Sequence, residues 1–218
     1  MNTDYSHIHV LIACEESQAA TIAFRAAGAT AFSCDIQKCS GHHPEWHIIH
    51  DASEVIQGPS SWPLQNGTTV TLAKHWDLII AHPPCTMLAK SSSVTLWNGK
   101  HTIDDITNAA QFFMTFFEAP AHYVCVENPI PLKIACLPPY SQIVQPFDFG
   151  HNYSKATCLW LRNLPPLLPT HAKYMTPKSW VYGGSHRAKR RSKSFQGIVE
   201  AMANQWLPLI ASEIDLHQ

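Results

Sequence analysis

Charge is scarce in this chain. Only 14% of its 218 residues are Asp, Glu, Lys or Arg, and 15 basic against 16 acidic side chains leave a formal net charge of −1. The overall field therefore advertises neither a nucleic-acid nor a membrane partner, and any attraction to phosphate must be local. Long apolar runs are missing as well: none approaches the roughly 20 residues needed to cross a bilayer. No basic segment followed by an apolar stretch opens the chain, and neither an internal repeat nor a low-complexity tract interrupts it. Seven cysteines, at positions 14, 34, 39, 85, 125, 136 and 158, are an odd number, and several sit inside apolar runs. That usage argues against a disulfide framework and for a reducing, cytoplasmic setting. What is plentiful is apolar surface: 45% of residues are hydrophobic, enough for one substantial core and a single domain over residues 1–218. The 14 histidines could make the surface more positive in mild acid.

Residues 8–13 are apolar and rich in Val and Ile, residues 17–27 are alanine-rich and helical in character, and Gly28 stops them before a strand pattern resumes at 29–34. Further buried strands are expected at 46–50, 76–81 and 122–127, with a helix at 105–118 carrying Phe112, Phe113, Phe116 and Phe117. This alternation predicts an α/β fold with a mainly parallel sheet covered on both faces. Two late strands, 142–149 and 157–161, could pair as a hairpin, and residues 195–210 close the chain as a helix. The phenylalanine stripe and Met202, Trp206 and Ile210 are expected in the core. Residues 58–69 and 172–194 read as irregular surface segments, the second basic and aromatic.

Two strand ends carry chemistry. The run Leu78-Ile79-Ile80-Ala81-His82-Pro83-Pro84-Cys85 delivers a thiol on a proline-stiffened turn, and Tyr123-Val124-Cys125-Val126-Glu127-Asn128-Pro129 ends in a carboxylate and an amide. Ligands of parallel α/β sheets bind beyond the carboxyl ends of the strands. Asp35, Asp51, Cys85 and Glu127 all fall at or just past such ends, so one crevice could gather them. Each has an ordinary alternative: a buried inert thiol for Cys85, a surface carboxylate for Glu127, turn or helix-cap roles for Asp35 and Asp51. The group Cys34, Cys39, His42, His43, His47 and His50 matches no tight ligand spacing, and no metal is expected.

These residues resemble the motifs of the cytosine-C5 DNA methyltransferases. Pro84-Cys85 matches the family's proline-cysteine nucleophile motif and Glu127-Asn128 its glutamate-asparagine motif, in the same order and at similar spacing. The likeness covers roughly residues 8–161. It implies a Rossmann-like S-adenosylmethionine-dependent methyltransferase fold whose sheet ends in a C-terminal antiparallel hairpin. It also implies a cofactor site of Cys14, Glu15, Glu16, Ser17, Asp35, Ile36, Asp51 and Pro83. There Asp35 would hold the ribose, Asp51 the adenine amino group, and the two glutamates the sulfonium or methionine amino group. Where the family has a phenylalanine and glycines in the first loop, this chain has Cys14-Glu15-Glu16-Ser17-Gln18, and Ile36 stands where an aromatic residue often covers the adenine.

Under that resemblance Cys85 adds to C6 of cytosine while Glu127 protonates or hydrogen-bonds N3, so that C5 can attack the sulfonium methyl. Pro84, Asn128, Lys155 and Thr157 would meet the substrate. Arg187, Arg190 and Arg191, with nearby aromatics, would contact a DNA backbone whose target base is flipped out or already single-stranded. Family members carry a large target-recognition region after these strands, for which this chain has only residues 162–194. Cytosine in RNA or a nucleotide remains an alternative acceptor, and a non-catalytic nucleic-acid or protein-binding module is the alternative from another class.

Overall fold

The computed structural model describes residues 4–171, 178–179 and 194–216. Strand β1 (Tyr5–Ala13) sends Ile8, Val10 and Ile12 into one apolar layer and Leu11 and Ala13 into the other. Both of its faces are covered, so it reads as an uninterrupted apolar run instead of an alternating one. Helix α1 (Ala19–Ala26) follows, burying Ala20, Ala23 and Phe24, and stops at Gly28, whose φ of 104° is open to a residue without Cβ. Strand β2 (Ala29–Asp35) then returns parallel to β1.

A 3₁₀ turn at Pro44–Trp46 precedes the short strand β3 (His47–Ile49), and α2 (Ala52–Val55) is followed by a hairpin of β4 (Ser61–Pro63) and β5 (Thr69–Thr71). Next come β6 (Leu78–Ala81), α3 (Ser93–Trp97), α4 (Ile103–Phe117) and β7 (Tyr123–Pro129). Strands β8 (Gln142–Val144), β9 (Tyr153–Ser154), β10 (Thr157–Arg162) and β11 (Lys178–Ser179) lead to the closing helix α5 (Gln196–Leu216). The main sheet has seven strands in the order β3-β2-β1-β6-β7-β10-β8. Every neighbouring pair is parallel except those of β10, which runs antiparallel to both β7 and β8. The expected mainly parallel α/β sheet and its late antiparallel pairing are both present.

Helices α1 and α5 cover one face, where Val199, Met202, Trp206 and Ile210 join Ile80 and Cys125. Helices α2 and α4 cover the other, where Phe113 and Phe116 join Val124, Val126 and Trp160. Phe112 and Phe117 are only partly buried. A capping box between Thr102 and Asp105 starts α4. At its end the guanidinium of Arg162 donates to the carbonyl of Phe117, an acceptor that the helix C-terminus leaves open, and to those of Ala119 and Ala121 in the segment that follows.

Several expected elements have different limits. The strand expected at 46–50 keeps only three residues, since Pro44 opens a 3₁₀ turn in front of it; Pro146 likewise ends β8 early and opens another at Pro146–Phe149. The irregular 58–69 segment contains part of the β4–β5 hairpin, and α5 continues past residue 210 to Leu216 with Pro208 inside it. Of the basic segment, Arg187, Arg190 and Arg191 lie outside the described residues. No helix among the described residues is long and apolar enough to cross a membrane.

Candidate active site at the carboxyl edge of the sheet

Chain order along the sheet reverses between β1 and β6, the kind of switch point beyond whose strand ends a crevice opens in α/β folds. On one side of it stand Cys14 to Gln18, Asp35 and Asp51; on the other, His82 to Cys85, Glu127 and Asn128. Strand β10 runs the opposite way, so its first residue, Thr157, pairs with Pro129 and joins the same edge.

The second group is tightly built. Ile80 pairs directly with Cys125, and both face the α1–α5 layer. Two residues further along each strand, on the same face, His82 and Glu127 meet: Nδ1 donates to the Glu127 carboxylate at 2.8 Å, with the side chains only 11% and 16% exposed. Burial alone would push the imidazole down, but the hydrogen bond and charge of Glu127, backed by Glu15, hold it above its ordinary 6.5. Burial would likewise raise Glu127, yet His82 and the charge of Lys155 hold that carboxyl below its ordinary value. A cavity of about 20 Å³ lies against the pair, lined also by Lys155, Thr157, Phe195 and Met202. The Lys155 ammonium stands 5.8 Å from the Phe195 ring centroid. Thr157 is buried, its hydroxyl donating to the Lys155 carbonyl at 3.3 Å.

The turn that bears the thiol is fastened to the strand that bears the carboxylate. The buried Asn128 amide donates to the Pro83 carbonyl at 3.0 Å, Lys90 N–H to the Ile130 carbonyl at 2.8 Å, and Leu132 N–H to the Leu88 carbonyl at 2.7 Å. Pro83 is buried, whereas Pro84 and Cys85 are exposed. The exposed Cys85 is not among the residues that line the small cavity.

The first group is acidic. Asp35 caps its own turn by accepting from Gln37 N–H, and burial raises its pKa. Asp51 caps α2 through the Ser53 N–H and hydroxyl, which lower its pKa. The ordinary cap and turn roles of these aspartates are therefore filled, while both still sit at strand ends near Cys14. That thiol, burdened first by burial and then by Asp35 and Asp51, is pushed up to about 12. Glu16 brings another charge near Asp35, and one of its carboxylate oxygens is buried without a hydrogen-bond partner. Ile36 is 75% exposed beside Asp35. Ser17 lies late in the 14–18 loop, its carbonyl facing Gly41, where a Cβ would come within 2.7 Å.

Glu15 is set apart from the others. It is 4% exposed and accepts from Ala20 N–H at 2.7 Å and from the Thr21 hydroxyl at 2.8 Å. Its carboxylate fills the N-terminus of α1, and burial raises its pKa.

Three residues without an assigned role in the sequence prove structural to the site. Gln18, at φ 59°, clamps the 36–46 loop through Ser33 and the backbone of His43, and Ser33 continues to His47. No motif marks them. His82 is placed by the register: with Ile80 paired to Cys125, two-residue alternation puts it beside Glu127. Among the described residues no group of three or more His, Cys, Asp or Glu side chains could hold a metal ion.

No protein-family model and no curated protein matches the chain. Similar folds occur among solved structures. One is a prophage-encoded E. coli protein described as a DNA modification methyltransferase, 15% identical with a TM-score of 0.41 over 71% of this chain and 46% of that one. Another is the Entamoeba histolytica methyltransferase EhMeth, 12% identical with a TM-score of 0.43 over 78% of this chain and 57% of its own. The chain thus spans about half the length of the solved structures it matches.

Proposed function

We propose that this protein transfers a methyl group from S-adenosylmethionine to C5 of cytosine in DNA through a cysteine–C6 adduct. The observation that carries the reading is the fastening of the Pro83-Pro84-Cys85 turn to Glu127-Asn128 by the Asn128 side chain and the backbone bonds beyond it. A nucleophile and an acid from separate strands act on one ring only if their relative position is held, and these bonds supply that constraint.

The acidic half of the edge suits the cofactor. Glu16, Asp35 and Asp51 would oppose the phosphates of a dinucleotide, and the first turn of α1, a ready anion site, is already occupied by Glu15. The same carboxylates favour a sulfonium or ammonium group and can accept from ribose hydroxyls, with Ile36 as an apolar surface for the base. When bound, S-adenosylmethionine supplies an electrophilic methyl group.

Cys85 adds to C6 as Glu127 engages N3, the C5 carbon becomes nucleophilic and takes the methyl, a base removes the C5 proton, and elimination restores the thiol. Lys155 and Thr157 line the space beside Glu127 and would meet the base or its phosphate. The base must leave a duplex stack, or be unpaired already, to reach this edge.

The test is mass spectrometry of nucleosides after incubating single- and double-stranded DNA with methyl-labelled cofactor. Label in 5-methylcytosine is expected, together with a covalent adduct on DNA containing 5-fluorocytosine that disappears in Cys85→Ala. An adduct surviving in that variant removes Cys85 from the mechanism. Label only in RNA or free nucleotides transfers the reading to those acceptors. Absence of cofactor binding leaves a binding module on this fold.

A further inference from the structure

Glu127 is an incomplete acid by itself. Its carboxyl is held below its ordinary range by His82 and Lys155, so at neutral pH it carries no proton of its own to give to a pyrimidine ring. The nearest group that holds one is His82, whose Nδ1 touches the Glu127 carboxylate at 2.8 Å. The other ring nitrogen, Nε2, is buried without a hydrogen-bond partner, and His82 borders a cavity of about 20 Å³, room for one water.

We propose that the reacting acid is the His82–Glu127 pair, with His82 as the positioning residue that stores the proton and Glu127 as the group that passes it to N3 of the target cytosine. The proposal rests on the cytosine reading above and deepens it. Cys85 reacts as the thiolate, its proton having gone to solvent; as the sulfur bonds to C6, the C5=C6 pair forms C4=C5 and the C4=N3 pair moves onto N3. Glu127 takes the Nδ1 proton of His82 and passes it to N3, and the imidazolium becomes a neutral imidazole. When the sulfur leaves C6 the same proton returns along the same path. No outside oxidant or reductant is involved, and the negative charge of the attacking thiolate ends on the pair, which passes from imidazolium and carboxylate to neutral imidazole and carboxylate.

The surroundings are arranged to keep the proton there. Glu15, from the turn after β1, lies within electrostatic reach of His82 and favours its charged form. Lys155, ahead of β10, opposes that charge while favouring the Glu127 carboxylate. The thiols of Cys125 on β7 and Cys158 on β10 are pushed up by burial and then by Glu127, so they stay neutral beside it. Cys85 stands three residues beyond His82. Helix α5 and the two residues before it present Ser194, Phe195, Ile198, Val199 and Met202 to the cavity, none of them ionisable.

Two measurements test the proposal. In the first, single-turnover methyl transfer is followed against pH for the wild type and for His82→Gln, which can still donate a hydrogen bond to Glu127 but cannot release a proton. The wild-type rate is expected to fall as pH rises through a value above 6.5. In His82→Gln that fall should vanish, with kcat lower by about 100-fold and KM for DNA unchanged. In the second, ¹⁵N spectra of histidine-labelled protein follow imidazole titration in the wild type and in Glu127→Gln. One imidazole should titrate above the ordinary range in the wild type and move down in the variant, whether or not His82→Gln folds.

A folded His82→Gln protein with the wild-type rate and pH profile overturns the proposal and leaves the methyl-transfer reading standing. So does a His82 ring that stays neutral from about pH 5 to pH 8 in the wild type. A wild-type protein that forms neither adduct nor methylated cytosine removes the reading, and the proposal with it.

Discussion

The carboxyl edge of the sheet has two halves that differ in how their charges are held. On the β1–β2–β3 side, Asp35 and Asp51 are fixed by local turn and cap bonds to Gln37 and Ser53, each two residues away. On the β6–β7–β10 side, His82 and Glu127 come from segments 45 residues apart, are covered by the start of α5, and set each other's ionisation. Locally held acids make a surface that can receive a cationic ligand without rearranging. A pair held by tertiary packing has a charge state that depends on both partners. Under the proposed function, cofactor recognition falls to the first half and acid chemistry to the second.

Replacing Glu127 by Gln should break the second half while sparing the first. Methyl transfer is expected to slow by about 10²–10⁴, whereas calorimetric titration with S-adenosylmethionine should give the wild-type affinity. Unchanged turnover would remove Glu127 from the chemistry. The converse change, Asp35→Asn, should weaken cofactor binding by about tenfold, or ~1.4 kcal/mol, while single-turnover transfer at saturating cofactor keeps its rate. If both variants lose both properties, the two halves are one unit and the division is wrong.

Glu15 belongs to neither half. Glu15→Ala should lower folding stability by about 1–2 kcal/mol through the loss of its cap on α1, read as a shift of the denaturant midpoint. A loss of cofactor affinity at full stability would instead return Glu15 to the ligand.

The smallest expected effect is on the shape of the stability curve. Glu127 is depressed, so its contribution is complete above its ordinary 4.5 and fades as pH falls through the lower folded value. His82 is raised, so its contribution is complete below 6.5 and fades as pH climbs through the higher folded value. The pair therefore stabilises most between these limits. The double variant His82→Gln, Glu127→Gln should flatten that stretch of the curve, and a curve of unchanged shape would mean the pair is not ionised as described.

Much of the fold was legible because both faces of the sheet are buried: apolar runs at 8–13, 78–81 and 123–126 can satisfy that demand only as interior strands. The gathering of Asp35, Asp51, Cys85 and Glu127 at one edge was legible for the same reason, since parallel strands end on the same side. Short elements were harder. Strand β3 is three residues long and the β4–β5 hairpin pairs three with three, too brief for periodicity to mark. The role of Glu15 was illegible, because a carboxylate beside a crevice and one folded back onto its own helix have the same sequence neighbours.

By itself the sequence determined the long interior strands, which residues stand at their ends, and that a thiol and a carboxylate both fall in that set, because these follow from apolar runs and chain direction. Only the tertiary structure decided that His82 meets Glu127, that Asn128 holds the Pro83 turn, and that Glu15 turns inward. Those outcomes depend on strand register and on what α1 and α5 cover, and neither quantity is carried by any local stretch of chain.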